Sequence, residues 1–367
     1  MRHVSSYLNW YVSVPELAYD LRSSGLSFFD YDLNLGTVDL SVNYARGNPE
    51  TIRRVADYYQ VHPGNVFVSS EGASGQNARV IRVLAELLQG KDEAVIEFPT
   101  YEPLLRQVQA HFRVVRRFER PKPEGYRLNA EAIRCAITAR TGLVVLTNPH
   151  APSASVADRG ELRQVMQLAH DHGFFVVCDE IYAEFNRAAV PSLFSVDSER
   201  AVVTTSFTKA FGLGGLRLGT ALASHDLVDR FYADTLHTIG NSSNLVQTVA
   251  AKILAHDQDK LKRHVARWSG LKRKMEQWLD EMQLPYSPNR VGVTYWVETP
   301  MDDTYLWTNE VTIKKFRLAA VPGAFFLFNG DHRLGKSRML RLGLGAVDPD
   351  ASYESTLEVL EKTMTTR

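Results

Sequence analysis

A chain of 367 residues with 44% hydrophobic and 23% charged content can bury a large core and has room for one large and one smaller domain. Its 42 Lys and Arg balance 42 Asp and Glu, which argues against a nucleic-acid or anionic-membrane surface as the main function. Two cysteines, Cys135 and Cys178, sit in apolar stretches, so a disulfide framework is not expected; with no signal-like or bilayer-length apolar run, the expected location is cytoplasmic.

Residues 1–44 are aromatic-rich and irregular, with clusters at Tyr7–Tyr11 and Phe28–Tyr31. They read as an arm that packs on the body or on a second subunit. Within it Trp10, Tyr11 and Tyr31 are candidates for an aromatic-friendly substrate pocket. A glycine–proline turn at Gly47–Pro49 then opens a helix to about Tyr59. Val66–Ser70 is a short strand, and Gly72-Ala73-Ser74-Gly75 leads into a helix from about Asn77 to Leu88. A strand, a small-residue turn and a helix N-terminus make an anion site, because free N–H groups and the positive dipole end converge there. The strand Ala94–Glu97 runs into Phe98-Pro99-Thr100-Tyr101, which places Tyr101 at the strand's C-terminal end, where open α/β sheets bind ligands.

Residues 113–118 read as another strand, followed by an amphipathic helix from Asn129 to Ala139. The buried strand Leu143–Thr147 ends in Asn148-Pro149-His150-Ala151-Pro152. A helix, Asp158 to His172, returns to Phe174–Cys178, and five apolar residues deliver Asp179, Glu180 and Tyr182 to the sheet edge. Acids in a loop are usually solvated, and Glu180 is read that way. The strand Ala201–Thr205 enters a hydroxyl- and glycine-rich loop that carries Lys209 and leads out on Leu218–Ala223. No carboxylate follows Lys209 within fifteen positions, so an enclosed amine there would lose its charge and act as a nucleophile. A helical region, about Leu227 to Met282, is broken near Gly240–Asn244. Its Lys- and Arg-rich part from Lys260 to Lys274 reads as a solvated face. The remainder alternates as α+β: strand Val293–Glu298, helix 303–318, the turn Val321–Phe326, and strand Met339–Leu344 carrying Arg341. The eleven histidines show no metal-ligand spacing, and neither a Gly-x-Ser-x-Gly elbow nor a Cys-x-x-Cys pair is present.

The segment Ser206-x-Thr208-Lys209-x-Phe211-Gly212-Leu213-x-Gly215-Leu216-Arg217-x-Gly219 resembles the lysine motif of class I/II pyridoxal-phosphate (PLP) aminotransferases of fold type I. The ordered motifs cover roughly residues 40 to 345. The resemblance implies that Lys209 carries the cofactor aldimine and acts as general base, with Ser206, Arg217 and the Gly72-Ala73-Ser74-Gly75 loop on the cofactor phosphate. Gly75 stands where the family usually has an acid. Tyr101 would stack on the pyridine ring, Asp179 would hold its nitrogen, and Asn148 and Tyr182 would belong to the same cofactor site, Tyr182 reaching the phenolic oxygen. Arg341 would grip the substrate carboxylate, with Arg338 as nearest rival, and the Ser24-Gly25 turn would approach it. Tyr44 would cross a homodimer interface to the partner's phosphate, and the break at Gly240–Asn244 would lend polar groups to the neighbouring site.

One departure stands out. The family's second asparagine, a donor to the phenolic oxygen, is here Ala151, leaving Tyr182, a water or His150 for that task. Loss of a donor to the phenolate should raise the pKa of the lysine–cofactor imine. The implied fold is α/β: a three-layer α/β/α large domain, residues 45–260, with a mostly parallel sheet. A small α+β domain would combine the arm, 1–44, with residues 261–367. The implied reaction moves an amino group from an L-amino acid to a 2-oxo acid. Another PLP reaction on the same scaffold (lyase, decarboxylase, racemase or oxidase) is the alternative, and no metal, nucleic acid or membrane is expected.

Overall fold

The computed structural model describes residues 6–27, 31, 36–256, 258–328, 335–348 and 350–365. Phe28, Phe29 and Asp30 of the second aromatic cluster, and several side chains of the Lys260–Lys274 stretch, lie outside the described residues.

Among the described residues, eleven strands form two sheets. In chain order they are β1 Tyr19–Leu21, β2 Val66–Ser69, β3 Glu93–Phe98, β4 Val114–Glu119, β5 Thr141–Thr147, β6 Phe175–Asp179, β7 Ala201–Ser206, β8 Gly219–Leu222, β9 Thr294–Glu298, β10 Leu318–Pro322 and β11 Met339–Gly343. The large sheet has the order β2-β8-β7-β6-β5-β3-β4, and only β8 runs antiparallel to its neighbours. Strands buried on both faces read as near-continuous apolar runs, as β5 to β7 do. Alternate residues feed two separate cores: Val144, Leu146, Val176, Cys178 and Val203 enter one, Leu143, Val145, Val177 and Val202 the other. Helices Gly72–Leu87, Glu102–His111 and His225–Thr238 supply the second core; Arg159–His172 packs into the first. The result is helix, sheet, helix in three layers.

The small sheet has the order β1-β10-β11-β9, with β1 parallel to β10 and the other pairs antiparallel. Residues 1–44 are less irregular than their composition suggests. They contain the helix Ser6–Ser13 as well as β1. That helix buries Tyr7 and Trp10, three residues apart, in a third core with Trp296, Val321, Phe325 and Phe326. Eight residues give too little periodicity to signal a helix against so aromatic a background.

Boundaries moved elsewhere for local reasons. Helix Gly72–Leu87 begins five residues before the expected Asn77, because Gly72-Ala73-Ser74-Gly75 forms its first turn and not the loop before it. Asp158 caps Arg159–His172 through a reciprocal box with Glu161, and Gly173 ends it in the left-handed region. The broken helical region resolves into His225–Thr238, Asn244–His256 and Gln258–Glu281.

Candidate active site

Strands β5, β6 and β7 all end at one edge of the large sheet, at Thr147, Asp179 and Ser206. A cavity of about 520 Å³ opens between this edge and the small sheet. Of the residues expected from the sequence, it is lined by Lys209, Asp179, Tyr182, Tyr101, Ala73, Ser74, Arg217, Arg341 and Gly25. Residues as far apart as Gly25 and Arg341 thus meet in one space.

Lys209 sits in the turn after β7, and its carbonyl accepts from the Leu26 N–H at 2.8 Å. Burial pushes its amine pKa down; Arg341 and Arg217 add to this, while Tyr7 and Asp179 oppose it. Gly25 is required by this approach: a Cβ there would lie 2.9 Å from Lys209 Cδ and 3.2 Å from its Cα.

Asp179 ends β6 and is 8% exposed. Burial raises its pKa, and two donors pull it back: Asn77 Nδ2 at 2.7 Å from Oδ2 and the Ile181 N–H at 3.0 Å from Oδ1. Asn77 is itself fixed, its Oδ1 accepting from the Thr204 hydroxyl on β7. Nothing in the sequence singles out Asn77 for this contact. Asparagine inside a helix carries no signal of its own, and only the fold brings it to a residue 102 positions away.

The anion-binding features converge opposite. Helix Gly72–Leu87 has no side-chain cap, so Ala73 and Ser74 present first-turn N–H groups at its positive end. Arg217, at φ 55°, lies across this end; its guanidinium donates only long contacts to the carbonyls of Gly214 (3.5 Å) and Glu71 (3.4 Å). Gly72 is at φ +68°, and a Cβ there would fall 2.5 Å from Arg217 Nη2. Gly72 therefore stands behind the arginine and does not line the cavity; Gly75 faces Glu71 on the helix's own surface.

Three other expected residues are also absent from the lining. The Asn148 carboxamide is committed at both ends, donating to Pro191 O at 3.1 Å and accepting from Ala157 N at 3.0 Å. The Ser206 hydroxyl, fully buried, donates to Leu218 O at 2.8 Å and accepts from Thr208 N at 3.1 Å, so it shapes the lysine turn, and Thr208 faces the cavity instead. Tyr44 is half-buried and is not among the residues that line the cavity. The aromatic pocket expected of Trp10, Tyr11 and Tyr31 does not form here: Trp10 donates to Asn309 and Tyr31 to the Phe211 carbonyl, and the cavity aromatics are Tyr7, Tyr101, Tyr182 and Phe326.

Ala151 does line the cavity, its N–H donating to Thr147 Oγ1 at 2.8 Å. His150 cannot replace the missing donor. It is buried, with Nε2 3.0 Å from Pro99 O, which can only accept, so Nδ1 accepts from Ser153 Oγ at 2.7 Å. Burial holds this imidazole neutral.

Arg341 is 3% exposed and reaches the cavity from β11. Its Nη2 donates to Arg22 O (2.7 Å) and Tyr7 Oη (3.3 Å), and its Nε has no hydrogen-bond partner. Arg338 is exposed, donating to Thr299 O at 3.2 Å. Among the described residues there is no group of three or more potential metal ligands, and no helix is long and apolar enough to cross a membrane.

A central sheet between two helical layers, with a half-buried lysine and a buried aspartate at its C-terminal edge, is the arrangement of the aspartate-aminotransferase-like fold. A PLP-dependent aminotransferase from Streptococcus suis superposes with a TM-score of 0.84 over 99% of this chain and 98% of that one, at 21% identity. The family model for aminotransferase class I and II matches residues 38–359, and the chain belongs to this family, whose enzymes use PLP. Histidinol-phosphate aminotransferase 1 of Archaeoglobus fulgidus is 32% identical over 186 residues, 50% of this chain and 53% of that protein. Aromatic-amino-acid aminotransferase 2 of Thermococcus litoralis is 24% identical across 85% of this chain and 80% of its own length. The chain spans between 48% and 63% of the length of the histidinol-phosphate relatives it matches.

The site fits the family's cofactor. It offers an uncapped helix end with a loosely held arginine for a phosphate, a desolvated amine for an aldehyde, and a carboxylate at the floor for a ring nitrogen. The guanidinium with an orphaned Nε stands ready for a second anion.

Proposed function

We propose that the protein is a PLP-dependent aminotransferase, moving an amino group from an L-amino acid to a 2-oxo acid. The observation that carries this reading is the meeting of Lys209, Asp179, Arg217 and Arg341 in one cavity. Ala73, Ser74 and Arg217 would hold the phosphate, Tyr101 the ring face, Asp179 the ring nitrogen and Tyr182 the phenolic oxygen. The bound cofactor supplies an electron sink for the pair left when the substrate α-proton departs.

This chain's residues do the rest. Arg341 fixes the substrate carboxylate, using donors that Arg22 and Tyr7 leave free. Desolvation lowers the pKa of the Lys209 amine, which favours the free base whose Nζ accepts the α-proton and returns it elsewhere on the same framework. Asp179 must stay ionised to keep the ring nitrogen protonated; Asn77 and the Ile181 N–H favour that state.

The same reading divides the chain into arm 1–44, large domain 45–260 and small domain 261–367. It makes the working unit a homodimer in which Tyr44 and the Gly240–Asn244 break serve the other subunit. For the donor, the aromatic lining of Tyr7, Tyr101 and Phe326 beside Arg341 favours an aromatic or apolar side chain.

The test is an absorbance scan of the PLP-loaded protein, before and after each amino acid, with no keto acid present. Conversion to the pyridoxamine form identifies the donor. Product without pyridoxamine moves the reading to a lyase or decarboxylase, and clear preference for aspartate over phenylalanine and tyrosine sinks the aromatic assignment.

A further inference from the structure

We propose that Glu102 is a positioning residue for the substrate carboxylate site, acting through the first helix and Tyr7 on Arg341. The inference rests on the reading of Arg341 as the carboxylate grip.

The first N–H groups of any helix have no acceptor inside it and are usually satisfied by a neighbouring side chain in sequence. In Ser6–Ser13 the acceptor comes from far away. The Ser6 N–H donates to Glu102 Oε1 at 3.0 Å, and the Tyr7 N–H to Glu102 Oε2 at 2.7 Å, across 96 and 95 residues. Both oxygens of one carboxylate thus cap this helix at its positive end. Glu102 is 1% exposed, and Arg106 Nε balances it at 3.1 Å. A buried carboxylate with so defined a set of donors fixes geometry in a way an apolar contact does not.

What it fixes is the start of the arm. Tyr7 is 6% exposed; its ring meets Tyr101 edge-on at 5.5 Å, and its Oη accepts from Arg341 Nη2. The other acceptor on that nitrogen is Arg22 O, also in the arm. Among the described residues, the hydrogen bonds of the Arg341 guanidinium therefore run to the N-terminal segment, over 319 and 334 residues. Glu102 directly follows Tyr101, so one dipeptide presents a ring to the cavity and anchors the element that aims the arginine. If the anchor goes, the first helix loses its registration, Tyr7 leaves Arg341, and the fork is free to turn.

The experiment uses the full PLP-loaded chain with its preferred amino donor and compares Glu102→Ala, Glu102→Gln, Tyr7→Phe and the double variant Glu102→Ala with Tyr7→Phe. Glu102→Ala should raise KM for the amino acid about 10-fold or more while kcat and cofactor affinity change less than about 3-fold. Glu102→Gln, which keeps one acceptor oxygen, should recover part of the loss. Tyr7→Phe should raise KM by a smaller factor, and the double variant should match Glu102→Ala alone, since residues acting through one another are not additive. Unchanged KM in Glu102→Ala, or multiplicative effects in the double variant, overturns the proposal. If Glu102→Ala does not fold, Glu102→Gln with Tyr7→Phe carries the same comparison. Arg341→Lys, run alongside, separates the two levels: unchanged KM there rejects the carboxylate-grip reading itself, whatever Glu102 does.

Discussion

Asn77 Nδ2 donates to Asp179 Oδ2 at 2.7 Å, joining the first turns of one helix to the end of β6. Asp179 is buried, and its carboxylate has this and one backbone N–H to offset the loss of water. A hydrogen bond to a buried charge is worth about 1.5–3 kcal/mol. Asn77→Ala should therefore lower kcat roughly 10- to 100-fold. With one donor gone, the Asp179 pKa rises further, so its protonated, inactive form persists to higher pH. The acid limb of the pH–rate profile should move up by about 1 unit or more. A profile that keeps its acid limb while kcat falls would mean that Asn77 acts on something other than Asp179.

Arg341 and Arg338 sit three residues apart and differ in surroundings more than in sequence. Arg341 is buried in the cavity with an orphaned Nε; Arg338 is exposed, just before β11 begins. Arg341→Lys should raise KM for the amino acid roughly 10- to 100-fold, because an ammonium cannot reproduce a two-point fork. Arg338→Lys should stay within about 2-fold, as surface changes do. Steady-state kinetics of the two variants decides between them, and equal effects would remove Arg341 from its proposed role.

The strands of the large sheet were legible because burial on both faces writes itself as apolar runs, and Lys209 and Asp179 because a charge at the end of such a run has few structural reasons to be there. Asn148 and Ser206 stand outside the cavity lining for the opposite reason. Polar groups in a motif can be spent on the backbone, as Asn148 is on Pro191 and Ala157, and sequence does not say which way a side chain turns. Asn77, Glu102 and Tyr7 were silent because their partners lie 95 to 334 residues away, a relation that only packing creates.

Ala151 removes a donor from the family's pattern, and His150 is fully engaged with Ser153 and Pro99; under the proposed function the phenolic oxygen therefore falls to Tyr182, which lines the cavity, or to a water. The cofactor-loaded protein should change colour with pH as the lysine-bound group loses its proton. Ala151→Asn should lower the midpoint by about 1 unit, the value of one added hydrogen bond to the anionic form, and Tyr182→Phe should raise it. A spectral titration measures both. No movement in either variant would place the phenolic oxygen elsewhere in the cavity.

The Thr147 hydroxyl that accepts from the Ala151 N–H donates to Glu97, which is fully buried and also accepts from Thr147 N at 3.0 Å and from Arg120 Nη1 at 2.9 Å. Burial raises its pKa to about 7, even though Arg120 and the Thr147 donors pull the other way. The folded chain thus holds this proton more tightly than the unfolded chain, whose carboxylate titrates near 4.5. The favourable contribution is complete below that value and is lost as pH rises through about 7, at a total of ~3 kcal/mol. Urea unfolding at pH 5 and pH 8 should therefore show the native protein losing stability relative to Glu97→Gln, which cannot titrate but keeps an acceptor for Arg120. The difference should sit between these two pH values and vanish below about pH 4. Parallel stability curves for the two proteins would mean that the Arg120 pairing, not desolvation, governs Glu97, and that the carboxylate stays ionised throughout.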